Sequence, residues 1–293
     1  MSVNEDMGRE ATHPRPARRS GTLVESVAPG ITVAVPGNGG GDWPWGNGVK
    51  IVGEDCNLTD AIPMECDELD ADDPTEGYGD VVTFSPFAVQ VARSCGVMSG
   101  IGGQLSDDAR RRLNEAIGFR LARELYTGEI TSNPAITVDP TVIAVSEALP
   151  VCQAVALMIE HIAELYGNLA ATLHVTPAAL EILASEVCVV REGNQFFTHT
   201  GHLVIGDAGY DGRAPTADGY ALTDPADGEE YVYATGPVAW EYGPAEAFDL
   251  TDLGSTTDGR QNRLAALARQ PVVAVFDPSC VHLAVLAKLC GCC

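Results

Sequence analysis

Basic residues are scarce in this sequence. Lysine occurs twice, at Lys50 and Lys288, and the 17 lysines and arginines stand against 41 acidic residues, for a net charge of −24. That balance implies a strongly negative surface, which keeps a chain soluble and repels nucleic acid by its bulk field. No apolar run approaches the ~20 residues needed to span a bilayer, and stretches such as "AVALMI" stop far short. The start, "MSVNEDMGRE", lacks the apolar core of a signal peptide. The expectation is a non-secreted protein without membrane contact.

The usual chemical signatures are missing as well. "PGNGGGD" and "SGIGGQ" have glycines but neither the GxGxxG spacing nor a strand-to-helix setting. "GVMSG" is not a nucleophile elbow, and there is no HExxH. In "THTGH", His199 and His202 stand three apart, a zinc-clamp spacing only if both sit on one helical turn. The surrounding pattern reads as strand, turn, strand, where residues three apart do not share a face. The acidic stretch "ECDELDADDPTEGYGD" puts Asp70 and Asp72 at the first two positions of an EF-hand loop. Pro74 takes the third and the required glycine is absent, so a solvated loop is expected. No catalytic, cofactor-binding or metal-ligating residue is singled out, and no cofactor is expected.

The nine cysteines include no CxxC pair. They read as buried or idle thiols of a reducing compartment. The tail "LCGCC" is different, because Cys290, Cys292 and Cys293 are unlike core residues and suit cross-links between chains. A zinc cluster with Cys280 is the weaker alternative.

What the sequence does contain is the material of an ordered α+β protein. Hydrophobic residues make up 45% and charged residues 20% of 293, enough for one large domain or two. Residues 1–20 carry Arg9, Arg15, Arg18 and Arg19 with no apolar periodicity and read as an arm. Residues 29–48 are rich in glycine and proline around a short strand, "ITVAV", with Trp43 and Trp45 outside any core pattern. Aromatics so placed serve as anchors on another surface. Residues 81–97 alternate like a strand. The first helix follows, with Ser106 as candidate N-cap, Asp107 and Asp108 in the first turn, and Ala109, Leu113, Ala116, Leu121 and Leu125 at helical spacing up to Gly128. A second helix is expected over 147–166, where Val151, Val155, Met158, Ile162 and Leu165 recur, with His161 beside that face. Thr176–Pro177 opens a short third helix. "ATLHV", "QFFTHT", "HLVIG", "EEYVYATGPVAWEYG" and "QPVVAVFDP" read as strands. Helices separated by short strands, without regular alternation, argue α+β.

Several motifs recur in a fixed order. They are "FSPFAV" at 84–89, Cys95, "ELYTG" at 124–128, His174 with Pro177, Thr198 to Gly201, Gly209 to Gly212, Tyr233 to Val238, and Phe276 to Cys280. In order and content this set resembles the major capsid proteins of actinobacterial tailed phages, which have the Hong Kong 97-type capsid fold. The resemblance covers roughly residues 80–290. It implies an N-terminal arm (1–48), an E-loop region (49–85), a peripheral P domain built on a spine helix (86–145), an axial A domain (146–235), and a return to the P domain ending in the cysteine-rich tail (236–293). It implies self-assembly as hexamers and pentamers into an icosahedral shell around double-stranded DNA, in a virion assembled in the host bacterial cytoplasm. The implied partners are other copies of the chain, a separate scaffolding protein, a portal, a decoration protein, and DNA through weak contacts. Trp43 and Trp45 become inter-subunit contacts, Cys290, Cys292 and Cys293 inter-subunit disulfides, and Arg9, Arg15, Arg18 and Arg19 interior contacts to DNA or scaffold. Only Lys50 lies in the E-loop region and no partner asparagine can be matched, so no lysine–asparagine cross-link is expected. An encapsulin-like nanocompartment shell is the alternative within the fold, and a zinc-dependent enzyme the alternative outside it.

Overall fold

The computed structural model describes residues 32–34, 49–54, 78–96, 105–167, 169–217, 220–221, 224–249 and 263–289. The chain opens with β1 (Thr32–Ala34), β2 (Val49–Glu54) and β3 (Tyr78–Phe84), a three-stranded antiparallel sheet. The strand expected over 81–97 is two strands, because Pro86 cannot donate to a ladder. β3 ends at Phe84 and β4 runs Phe87–Gly96. Asn133 clamps the break from both sides. Its Oδ1 accepts from Ser85 N at 2.7 Å and its Nδ2 donates to Ser85 O at 2.9 Å.

Helix α1 (Leu105–Thr127) follows. The candidate cap Ser106 lies inside its first turn, one residue beyond the observed start. Gly128 ends the helix at φ 63°, and a Cβ there would meet Asn133 O at 2.7 Å. The buried Glu124 carboxylate then accepts from the backbone N–H groups of Ile130 and Thr131 at 2.9 and 2.8 Å, which fixes the turn.

β5 (Thr141–Ile143) and β6 (Leu149–Pro150) precede α2 (Val151–Tyr166). The expected start at 147 is four residues early, since Pro150 holds its predecessor out of helical geometry. β7 (Thr172–Val175) leads into α3 (Pro177–Ser185). Thr176 caps α3 as read from the sequence, with Oγ1 accepting from Ala179 N at 3.2 Å. Then come β8 (Val189–Glu192), β9 (Gln195–Thr198), β10 (Leu203–Gly206), the two-residue pair β11 (Thr216–Ala217) and β12 (Tyr220–Ala221), β13 (Glu229–Thr235), β14 (Val238–Tyr242), β15 (Glu246–Asp249), β16 (Arg263–Phe276) and β17 (His282–Lys288).

Two sheets organise this order. In the first, β16 is central. It pairs antiparallel with β4 over Arg263–Val272, with β15 over Ala266–Arg269, and with β14 over Val272–Phe276. The second is mixed, in the order β5-β17-β13-β7-β10-β9-β8, with β6 also on β17. Helices α2 and α3 cover one face of this second sheet. The other face meets the C-terminal half of α1 and the first sheet. Period-2 alternation divides the strands between the two faces. Val232 and Ala234 pack with α2 and α3, while Tyr231 and Tyr233 pack toward α1.

The strands after residue 236 are shared between the two sheets. β14, β15 and β16 lie in the first sheet, but β17 is hydrogen-bonded within the second, across seven residue pairs with β13 and in parallel with β5 and β6. Local periodicity identifies a strand and says nothing about which sheet takes it.

Cysteines depart from expectation as well. Cys152 in the first turn of α2 and Cys188 before β8 are joined as a disulfide with a Cα–Cα separation of 5.9 Å, and Cys280 is also disulfide-bonded. The reading of these three as idle thiols is corrected. Among the described residues no helix is long and apolar enough to cross a membrane.

Candidate functional site

The residues singled out as contacts lie outside the described residues. These are Trp43, Trp45, Arg9, Arg15, Arg18, Arg19, Cys290, Cys292 and Cys293. The two histidines of "THTGH" are in a turn between β9 and β10, as the pattern predicts. They turn to different partners. Buried His202 accepts from Ala171 N through Nδ1 at 3.1 Å, and exposed His199 donates from Nε2 to Val187 O at 2.9 Å.

Several of the ordered motifs converge, contributing Phe84, Tyr126, His174, Tyr210, Tyr233 and Phe276, whereas Thr198–Gly201 lies apart in the β9–β10 turn. The converging residues form a buried seam between α1, the first sheet and the α1-facing side of the second sheet. His174 of β7 is 1% exposed. Its Nε2 lies 2.8 Å from Thr235 Oγ1 and its Nδ1 lies 3.1 Å from Tyr210 Oη. Thr235 donates its single hydroxyl hydrogen to Gly236 O at 2.8 Å, so it accepts from His174 Nε2–H, and Nδ1 accepts from Tyr210. The network assigns a neutral Nε2–H tautomer. Burial, helped by His282, pushes the His174 pKa down to about 3. His282 donates from Nε2 to Ile136 O at 2.9 Å and is also shifted down by burial.

Aromatic rings fill the rest. Tyr126 of α1 lies 5.0 Å from Tyr210 and 5.4 Å, edge-on, from Tyr233, centroid to centroid. Tyr233 donates to Arg213 O at 2.7 Å. Phe84 meets Phe276 at 5.9 Å, and Phe276 meets His282 at 5.5 Å. Burial raises the pKa of Tyr126, Tyr210 and Tyr233 far beyond neutral pH.

Two glycines make this packing possible. A Cβ on Gly209 would lie 2.7 Å from Arg123 N and 2.9 Å from Phe119 O, so the loop touches the α1 backbone. Gly212 has φ 67°, and a Cβ there would meet Glu230 Cβ at 2.6 Å. Buried Glu230 accepts from Thr176 Oγ1 at 2.7 Å, and burial raises its pKa. Outside the seam, Arg123, Glu129, Asp211 and Arg213 close a ring of ion pairs, the shortest being Arg123 to Asp211 at 2.7 Å. Burial opposes ionisation of Asp211, but hydrogen bonds from Arg213 and Arg123 outweigh it and hold its carboxyl below the usual range.

Chemically, this seam fixes shape. Its histidines are held neutral, its tyrosines protonated, and each polar side chain in the His174 network is engaged by another. Proton transfer at neutral pH requires groups poised near that pH, and burial drives the seam's histidines and tyrosines away from it, while Glu230 shifts upward. The sequence carries the motif residues, yet their convergence is invisible there, because each motif is locally weak and the two His174 side-chain contacts span 36 and 61 residues.

No family model matches the chain, and no curated protein matches it. Solved structures are similar at low identity. A chain from Gordonia phage Cozz is 12% identical, with 98% of each chain covered and a TM-score of 0.46. The capsid of a native GTA particle is 11% identical, covering 97% of this chain and 94% of that one, with a TM-score of 0.46. The SrpI encapsulin complex from Synechococcus elongatus is 11% identical over 72% of this chain and 76% of that one, with a TM-score of 0.44.

Proposed function

We propose that the chain is the major subunit of an icosahedral capsid, assembling as hexamers and pentamers around packaged double-stranded DNA. The observation that carries this reading is the seam. Most of the motifs that resemble phage major capsid proteins meet at the joint of the fold, and what they build there is packing. A protein whose distinctive residues are used to set the angle between a long helix and two sheets is one whose product is a shape.

In this reading α1 and the first sheet form the P domain, and the second sheet with α2 and α3 forms the A domain, with β17 assigned to it. The β1–β2–β3 sheet is the base of the E-loop. A flat subunit of this kind buries its remaining apolar surface against copies of itself. Exposed Phe119 and Ile130, at 41% and 62%, are the apolar side chains such a contact would cover. Trp43 and Trp45 are further contacts, and Cys290, Cys292 and Cys293 cross-link neighbours. The acidic body keeps DNA from adhering to the wall, while Arg9, Arg15, Arg18 and Arg19 face the interior. A separate scaffolding protein, a portal and a decoration protein complete the virion, which assembles in the bacterial cytoplasm.

The test is electron microscopy with light scattering on the full chain, expressed alone and with a scaffolding protein. Rings of five or six chains, or closed shells, are expected. Monomers under both conditions would overturn the reading.

A further inference from the structure

Helix α3 ends in a way its sequence disfavours. Cys188 N donates to Leu183 O at 2.9 Å and Val187 N to Ala184 O at 3.3 Å, the paired bonds of a Schellman motif. That motif places its penultimate residue in the left-handed region, which is why glycine usually occupies it. Here the residue is Val187, at φ 58° and 67% exposed. A β-branched side chain in that region is a steric outlier, and it persists only where the surroundings over-determine it. The adjoining residue supplies the constraint. Cys188 is bonded to Cys152 in the first turn of α2, 36 residues earlier. His199 adds a hydrogen bond to the Val187 carbonyl at 2.9 Å. Both cysteines are half-buried, so small thiols and disulfides in solvent can reach them. Among the described residues β8, which begins at the next residue, is an edge strand paired with β9.

We propose that Cys152 and Cys188 form a redox-controlled staple. It is open as a dithiol in a reducing cytoplasm and closed as a disulfide in an oxidising medium. When closed, it holds the Val187 turn and the β8–β9 hairpin against α2. Closure uses a small oxidised disulfide such as glutathione disulfide. One protein thiolate displaces a glutathione thiol and forms a mixed disulfide. The second protein thiolate then attacks that bond and releases the other glutathione. The protein pair loses two electrons and two protons, and the reagent is reduced to two thiols. The inference concerns the single chain and goes beyond the shell reading.

The experiment uses the full chain with Cys290, Cys292 and Cys293 replaced by serine, equilibrated in glutathione buffers from reducing to oxidising. Alkylation and peptide mapping count free thiols at Cys152 and Cys188, and hydrogen exchange is followed in the same samples. The two thiols are expected to disappear together. On reduction, amides of 186–198 are expected to exchange about tenfold faster while those of α1 stay unchanged. Val187→Gly, which suits the left-handed turn without the staple, is expected to shrink that ratio below about threefold. Cys152→Ser should match the reduced chain, and if it does not fold, the comparison with Val187→Gly still decides. Thiols that alkylate regardless of the buffer would overturn the proposal, as would unchanged exchange on reduction. So would a reduced chain that retains one zinc per molecule, because the Glu186 carboxylate lies within 4.8 Å of both sulfurs and the pair would then be a metal site. A chain that shows the coupled pair but never assembles keeps the staple and loses the shell.

Discussion

The two faces of the second sheet are built from different materials. Toward α2 and α3 the strands present Leu173, Val175, Val204, Val232, Ala234, Leu283 and Val285, all aliphatic. Toward α1 the same strands present Thr172, His174, Tyr231, Tyr233, Thr235 and His282, which are polar or aromatic, beside the aliphatic Leu203, Ile205 and Ala284. The backbone is shared, so the contrast isolates what side chains add. Aliphatic burial stabilises by area, about 1.5–3 kcal/mol for each large side chain, and is indifferent to orientation. The polar face is satisfied only in one arrangement, because an unmatched buried donor or acceptor is costly. The aliphatic face therefore stabilises without fixing an orientation, and the polar groups of the other specify how α1 lies on the sheet.

Four measurements would break or sharpen that contrast. The largest effect is expected from Gly209→Ala, about 3 kcal/mol in urea denaturation, because a backbone contact must open. Gly201→Ala is its control. Gly201 also has positive φ, but open space surrounds it, and about 1 kcal/mol is expected. Equal losses at the two sites would remove the argument for close approach. Next, His174→Leu is expected to lose about 2–3 kcal/mol by orphaning the Tyr210 and Thr235 hydroxyls. Its neighbour on the aliphatic face, Leu173→Met, should lose less than about 1.5 kcal/mol. If the leucine variant at 174 is the more stable, the polar face is not specifying anything.

Acid comes third. The folded-state pKa of His174 is about 3, below the ordinary 6.5. Its contribution is therefore complete above pH ~6.5 and is lost as pH falls toward 3, because only the unfolded chain takes up the proton. His282 and His202 shift in the same direction. Urea midpoints at pH 7 and pH 5 should differ by about 2 kcal/mol for His174 alone, and His174→Leu should flatten that slope. The smallest effect belongs to Tyr233→Phe, which removes one hydrogen bond to Arg213 O and is expected to cost about 1 kcal/mol.

The same contrast explains what was legible in the sequence. The bounds of α1, the Thr176 cap and Pro177 start of α3, and the turn in "THTGH" depend on nearby residues and were readable. So was α+β character, from the order of elements. The division at Ser85–Pro86 was signalled by the proline but hidden by the alternation around it. The later start of α2 followed from Pro150. What could not be read is pairing at a distance. The sheet that accepts β17, the Cys152–Cys188 bond and the seam around His174 all join segments dozens of residues apart. The motif resemblance reached the seam residues without showing that they touch.

The placement of β17 carries a consequence for synthesis. Residues 282–288 hydrogen-bond between β13 on one side and β5 and β6 on the other. While the ribosome still holds them, the second sheet lacks the strand next to its β5 edge, and among the described residues β5 and β6 have no other strand to pair with. Domains generally fold as units, and early exposure of apolar strands invites association with the wrong partner. A nascent chain of this design cannot complete its sheet until translation has passed residue 288. Until then the edge of β13 that β17 covers stays unpaired.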